Sequence, residues 1–333
     1  MRLSLISVIV TIFIIYLAVT RLDFHFLFDS IQKIDWILVG TALLAWILLV
    51  MIKAIKWQQI VLALNGKMGF IQSLAVLQIG LFISVATPGR LGDFVRAAYL
   101  KDQLSVGKGV MAVVIDRVID VLELLLFAVV GLYGLFVTKG IFLVSTEILV
   151  AIVLVALGGT LLLFNRSFVR KIVKPIFSRI IPKHLLGVIQ QYGAEFYDSI
   201  PVLKKNSLSV LGAVFLGVLA WLGTITFGWF LMQSAGIQLN WEVALLVIPV
   251  VSLIEIIPFG IAGIGTRELA SVIVLGAYGI VAEQAVLFSL LYFVIGYVPS
   301  FIIGGILFNL YPVPIEGGLK GFWKRYKIKN SNV

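Results

Sequence analysis

LAVLQIGLFISVATPGRLGDFVRAAYL, Leu74 to Leu100, decides the fold, because an apolar run breaks at Pro88 and passes at once into charge. A second stretch, ALLVIPVVSLIEIIPFGIAGIGTRELA, Ala244 to Ala270, does the same through Pro258. Each offers about fifteen apolar residues, then proline and glycine, then an arginine with an acid close by: Arg90 and Asp93, Arg267 and Glu268. Backbone in lipid must satisfy its own hydrogen bonds, so a helix broken at membrane depth is tolerated only inside protein or beside a watery cavity. Two such breaks at corresponding places in two halves of a chain point to a substrate pathway.

The composition agrees with a membrane setting. Hydrophobic residues make up 61% of the 333 and charged ones 13%, and mean hydropathy is +1.12. Soluble domains run near 45–50% apolar and about 25% charged, so a water-soluble globule is excluded. The short alternating segments of a lipid-facing barrel are absent. The expectation is an all-α polytopic membrane protein. Cysteine is missing, which removes disulfides, thiol catalysis and cysteine metal sites. His25 and His184 have no ligand-spaced partner, so no metal is expected. The net charge of +10 fits Lys and Arg gathered in cytoplasmic loops rather than a nucleic-acid surface.

Full-length apolar runs are Leu3–Thr20, Trp36–Ile55, Gly109–Val137, Ile141–Phe164, Leu208–Met232 and Glu283–Leu310. The second arms of the broken stretches, Leu91–Leu100 and Thr266–Leu275, hold about ten residues each. A span needs about twenty, so each stretch reads as a re-entrant hairpin. Six spanning helices, two re-entrant hairpins and an internal N-terminus put about 21 of the 26 Lys and Arg on the cytoplasmic side. That count includes Lys53–Lys67 as a loop. Both termini are then cytoplasmic in a multi-pass protein of the cell membrane. Span, hairpin, span occurs twice, over about 36–137 and 208–310, separated by one extra crossing. An inverted repeat, typical of secondary transporters, is the expected result. Residues 1–311 read as one transmembrane domain with a basic segment at 166–206, followed by a basic cytoplasmic tail at 312–333.

Gly92 beside Arg90 and Asp93, and Gly263 and Gly265 beside Arg267 and Glu268, place free backbone N–H groups at short helix starts. Such starts attract anions, and Arg90, Arg96 and Arg267 add forked cations suited to phosphate. The alternative is a tight turn held by an Arg90–Asp93 or Arg267–Glu268 pair. On Gly109–Val137, Asp116, Asp120 and Glu123 follow i, i+4, i+7 and share one face, with Arg117 in reach of Asp120. A charge at mid-span costs roughly 2.5–3.5 kcal/mol on insertion scales, so all should face inward, as an interhelical ion network or as a polar pathway. Glu255, apolar on both sides, is a further buried acid. No nucleophile, metal set or leaving-group pocket accompanies these acids, so no catalytic residue is named. No GxxxxGK[ST] phosphate loop occurs, and no cofactor is expected. Residues 166–206 alternate basic and apolar positions, as an amphipathic inner-leaflet segment or a plain basic loop would.

TPGRLGD (Thr87–Asp93), the Asp116–Arg117 pair with Asp120, and GIGTRE (Gly263–Glu268) together resemble the flippase-like membrane domain of lysylphosphatidylglycerol synthases. The resemblance runs from Leu3 to Tyr311. It implies movement of a lipid between leaflets: an anionic or aminoacylated phospholipid, or a polyprenyl-phosphate lipid. Long family members append a cytosolic aminoacyl-transferase domain and others a glycosyltransferase. This chain is expected to carry neither, leaving a separate soluble synthase as a partner. Two rivals stand beside transport. An intramembrane lipid-headgroup enzyme would turn over lipid alone, whereas a non-transporting scaffold would lose its synthase without any change in lipid asymmetry.

Overall fold

The computed structural model describes Asp29, residues 31–85, Thr87, and residues 92–140, 145–173, 191–255 and 265–311. The first expected span (Leu3–Thr20), Arg90, Gly263, the middle of the basic segment and the 312–333 tail lie outside the described residues. What is described is helical, with no strand.

Apart from short helical pieces at Arg166–Phe168, Val169–Val173 and Ile200–Lys205, the helices in chain order are α1 (Trp36–Ala63), α2 (Phe70–Val85), α3 (Val95–Ala98), α4 (Val106–Lys139), α5 (Thr146–Leu163), α6 (Ser207–Ser234), α7 (Trp241–Glu255), α8 (Thr266–Gly276), α9 (Ala282–Gly296) and α10 (Val298–Leu310). Among the described residues, four stretches are long and apolar enough to cross a membrane: α1, α4, α6, and α9 with α10. At 1.5 Å per residue, α1 and α6, with 28 residues each, run about 42 Å, beyond the roughly 30 Å hydrocarbon core. Asp35 starts α1 by accepting from the Ile37 and Leu38 N–H groups, a standard N-cap. The final span bends at Tyr297, where Pro299 in the first turn of α10 has no N–H to donate. The indole of Trp46 donates to the nearby Gly296 carbonyl at 2.9 Å.

The two halves match element by element. α1 and α6 have equal length, α2 and α7 hold 16 and 15 residues, and each is followed by a short helix and then a long span. The packing matches too. α1 lies chiefly against α6, α2 against α10 and α7 against α4, so the second helix of each half rests on the last span of the other. Small residues permit both crossings. A Cβ at Gly131 would meet the Leu246 carbonyl, and one at Gly304 the Gln78 carbonyl.

Contacts sort the chain ends onto two faces. On one, Lys67 N–H donates to Gln103 Oε1 at 2.7 Å, so the segment carrying α2 and α3 begins and ends at the same place. Asn206 Nδ2 donates to the Ala63 carbonyl, Tyr197 Oη to the Leu163 carbonyl and Tyr99 Oη to the Tyr311 carbonyl. Glu195 accepts from the Gly107 N–H at 2.9 Å. That N–H, at the positive end of α4, holds the Glu195 carboxyl below the usual carboxylate range. On the other face, Asp35 N–H donates to the Ser234 carbonyl, and Lys139 sits over the Tyr278 ring at 4.8 Å. Outward lie Leu44, Leu48, Val155, Leu161, Leu208 and Phe215, all more than half exposed, as lipid-facing positions are.

The α2–α10 crossing gives a test. In Gly304→Ala the new methyl meets backbone, whereas in Gly305→Ala it meets the Phe82 ring at 3.3 Å, which can give. Gly304→Ala is expected to cost about 1–3 kcal/mol of stability, the range for overpacking, and Gly305→Ala clearly less. Thermal unfolding in detergent measures both, and equal losses would contradict the crossing.

Candidate functional site

Asp116 and Asp120 on α4 and Asp93 just before α3 meet three cations, Lys56, Arg96 and Arg117. In the structure they close into a ring of alternating sign. Lys56 Nζ lies 3.0 Å from Asp116 Oδ1, and Asp116 Oδ2 lies 2.8 Å from Arg96 Nη1. Arg96 Nε stands 3.8 Å from Asp93 Oδ1, and Asp93 Oδ2 lies 2.7 Å from Arg117 Nη2. Arg117 Nη1 is 3.7 Å from Asp120 Oδ2, and Asp120 Oδ1 returns to Lys56 Nζ in a short contact. Three positive and three negative groups leave the ring formally neutral.

Local structure explains why these side chains meet. Asp116, Arg117 and Asp120 fall within one turn or so of α4. Arg96 comes from α3, which the α2 break turns back against α4. The turn is tight: Gly92 lies so close to α2 that a Cβ would land on the Ile83–Ser84 backbone, and its N–H donates to Thr87 Oγ1 at 2.8 Å. Gly80 leaves room for the Arg96 stem, and the guanidinium carbon stacks 4.4 Å from the centroid of the Trp57 ring, a favourable cation–π distance. Lys56 and Trp57 are adjacent on α1. Burial is uneven. Lys56, Asp93, Arg96 and Asp116 are almost wholly enclosed, while the side chains of Arg117 and Asp120 keep 28% and 37% exposure. The ring therefore has one open edge.

Lys56 is the member sequence reading missed. Lys53–Lys67 reads as a basic cytoplasmic loop, but α1 continues to Ala63 and carries Lys56 inside. The available signal was charge balance: in the middle of α4 Asp116, Asp120 and Glu123 outnumber Arg117, since Lys108 and Lys139 lie at the two ends of the helix. Asp93 does not stand as the simple partner of Arg90, since it holds Arg96 and Arg117; Arg90 itself is outside the described residues.

The second half builds a different site. Arg267, on the first turn of α8, is 1% exposed and lies on the short helix that follows α7, as Arg96 lies on the one that follows α2. Its Nη2 lies 3.8 Å from Glu255 Oε1, which also accepts from Tyr297 Oη at 2.8 Å. The guanidinium carbon lies 4.9 Å from the Tyr297 ring centroid, with Tyr292 and Phe293 just beyond. A cavity of about 10 Å³, the size of one water, opens among Ser252, Glu255, Arg267 and Tyr292. Glu268 turns to its own helix start. It accepts from the Gly265 N–H and from Ser289 Oγ at 2.8 Å, while Gly265 adopts φ 89°, a conformation suited to glycine. The carboxylate thus occupies a backbone donor that an anion would otherwise meet. Gly263 is outside the described residues.

Glu123 stands apart. It is 5% exposed, and neither carboxyl oxygen has a hydrogen-bond partner. An apolar groove of about 460 Å³ runs between Val121, Leu124 and Leu125 on α4 and Ile148, Ala151, Ile152, Val155 and Ala156 on α5, closed by Leu253. Arg117, Val121 and Leu124 follow i, i+4, i+7, so Arg117 and the groove share a helix face.

Removing one partner of a buried ion pair leaves the other stranded, at about 3–5 kcal/mol. Arg96→Ala and Asp116→Ala should each cost that much, with the double variant well short of their sum. Arg117→Ala and Asp120→Ala, at the open edge, should be coupled by about 1 kcal/mol or less. Thermal denaturation of the four single and two double variants measures this. A stronger coupling at the open edge would reverse the burial argument.

The profile of the family described as Lysylphosphatidylglycerol synthase TM region matches residues 4–304. Among curated proteins, the chain is 28% identical over 298 residues to the UPF0104 membrane protein MJ1595 of Methanocaldococcus jannaschii, covering 83% of this chain and 87% of that one. It is 27% identical over 290 residues to the UPF0104 membrane protein PH1989 of Pyrococcus horikoshii, covering 80% and 84%.

Proposed function

The chain belongs to the lysylphosphatidylglycerol synthase transmembrane-region family, and from that premise we propose that it moves a phosphate-bearing lipid between membrane leaflets rather than transforming it chemically. The observation that carries this reading is the open Arg117–Asp120 edge of an otherwise buried ring, with an apolar groove that begins one turn further along the Arg117 face of α4. A soluble solute needs no groove of that kind; a lipid needs a polar site and an apolar one side by side. Arg117 suits a phosphate, and Asp120 beside it suits an ammonium. Within the class of anionic, aminoacylated and polyprenyl-phosphate lipids, that pairing favours a headgroup carrying both charges.

The architecture supports transport in a second way. The α2–α3 and α7–α8 segments are read as re-entrant hairpins entering from opposite faces, which makes the matched halves an inverted repeat with alternating access between them. The 11 residues of α8 span about 16 Å, half the hydrocarbon core. The face where Gln103, Gly107, Leu163 and Asn206 gather also carries the described ends of the basic segment, 166–173 and 191–206. It is assigned to the cytoplasm of a cell-membrane protein, together with both termini. A separate soluble synthase that makes the lipid remains part of this proposal.

Two experiments test it. The chain has no native cysteine, so a cysteine introduced at Gln103 should resist impermeant labelling from outside intact cells; external labelling would remove the re-entrant reading. In proteoliposomes, the purified protein should move fluorescent phosphatidylglycerol or its lysyl ester between leaflets. Arg117→Lys keeps charge but loses the planar fork and should slow transfer about tenfold with little change in melting temperature. If no phosphate lipid moves faster than in protein-free vesicles, the transport reading fails.

A further inference from the structure

We propose that Glu123 is a proton-binding site, loaded in this conformation, and that it gives up its proton when the Lys56 ammonium moves onto it. Glu123 sits midway along α4, 5% exposed. Neither oxygen has a hydrogen-bond partner, and no cation lies within ion-pair distance of it among the described residues. An ionised carboxylate left that way in a low-dielectric interior is prohibitively costly, whereas the protonated acid is a small neutral polar group. The cation closest in the fold, Lys56, is already shared between Asp116 and Asp120, in a ring that balances without Glu123.

The charged groups on the elements packed against this part of α4 are Lys53 and Lys56 on α1, Arg96 on α3, Glu147 on α5, and Glu242 and Glu255 on α7. α6 contributes none. Of these, Lys53 and Lys56 act on Glu123 electrostatically, together with Asp116 and Asp120 of its own helix. What covers the carboxyl is α6 itself. A Cβ at Gly217 would overlap both oxygens, so the bare glycine backbone closes the site.

The geometry supplies a second position for the lysine. Asp116, Asp120 and Glu123 lie on one face of α4 at successive turns, and Lys56 faces them from α1 on a flexible four-carbon stem. A shift of one turn, about 5.4 Å, would carry its ammonium from the Asp116–Asp120 pair to the Asp120–Glu123 pair. Asp116 would keep Arg96. In that step Glu123–COOH loses H⁺ to water admitted as α6 withdraws, and the new carboxylate is neutralised by the arriving ammonium. Discrete one-turn steps of this kind occur in known switching proteins. Coupling the proton to lipid movement rests on the transport reading above; the proton site itself does not.

Infrared difference spectroscopy of the full-length protein in nanodiscs, titrated with pH, reads the site without any cargo. The wild type should show a carboxylic-acid carbonyl band that vanishes on alkalinisation. Glu123→Gln should lack it, Glu123→Asp should shift it, and Asp120→Asn should retain it. Gln is isosteric with the protonated acid, so the fold is expected to hold. Should Glu123→Gln misfold, Gly217→Ala, whose methyl pushes against the carboxyl, must move the band. A band that persists unchanged in Glu123→Gln or Gly217→Ala, or one absent from the wild type, overturns the proposal. In proteoliposomes a pH gradient should change wild-type phosphatidylglycerol transfer several-fold and leave Glu123→Gln unresponsive. Transfer indifferent to the gradient, with the band present, overturns the coupling. No transfer at all sinks the transport reading and leaves the spectroscopic result to decide the proton site.

Discussion

Ionised side chains inside a membrane protein must find partners within the protein, and this requirement organises the first half of the chain. Asp116 alone would cost several kcal/mol within the bilayer. It is tolerable because Lys56 and Arg96 approach it from two other elements, at 3.0 and 2.8 Å. Arg96 gets there only because α2 breaks and the chain doubles back. The doubling back is close enough to exclude a Cβ at Gly92. Lys56 gets there only because α1 runs on past the point where its sequence turns basic. The broken helix, the long helix and the polar span are thus three consequences of one electrostatic need.

The two halves share a scaffold and differ in chemistry. Arg96 and Arg267 are alike in being enclosed, stacked on aromatic rings and held by a carboxylate from another element. Around Arg96 the partners are charges; around Arg267 they are Glu255, Tyr297 and neighbouring rings. A ring of full charges can exchange partners without leaving one bare. An arginine enclosed by aromatic rings has fewer alternatives. On this view the second half holds its geometry while the first half is able to change.

Much of the class was legible from composition and from the two proline breaks, because hydropathy and the proline penalty act locally in sequence. The helices over α4, α5 and α6 lie within a few residues of the apolar runs that announce them. Two features escaped for a physical reason. The end of α1 is hidden because Lys53 and Lys56 look like water-facing residues, and only their distant partners show otherwise. The partners of Asp93 are likewise hidden: Arg90 stands beside it in sequence, whereas Arg117, which it meets, lies on another helix. Glu268 is spent on capping its own helix, a role that a carboxylate three residues into a helix often takes. Asp93, with a similar local pattern, is drawn instead to Arg117 and Arg96. Local spacing does not decide between those fates; the third dimension does.

Stability alone is a poor reason to keep such a ring. Well-packed apolar side chains commonly stabilise a buried site as well as an ion network does, because desolvation cancels much of the Coulomb gain. Lipid sharpens the point, since the surrounding helices pack against one another without any need for charge. What charges provide that leucines cannot is a small set of discrete, mutually exclusive arrangements. In this ring Asp116 has two cations, Lys56 has two carboxylates, and Glu123 lies one turn beyond with none. Moving one ammonium along that row changes which carboxylate is satisfied while every other pair survives. An apolar core of the same shape would have one arrangement, and could not register whether a proton or a headgroup had arrived.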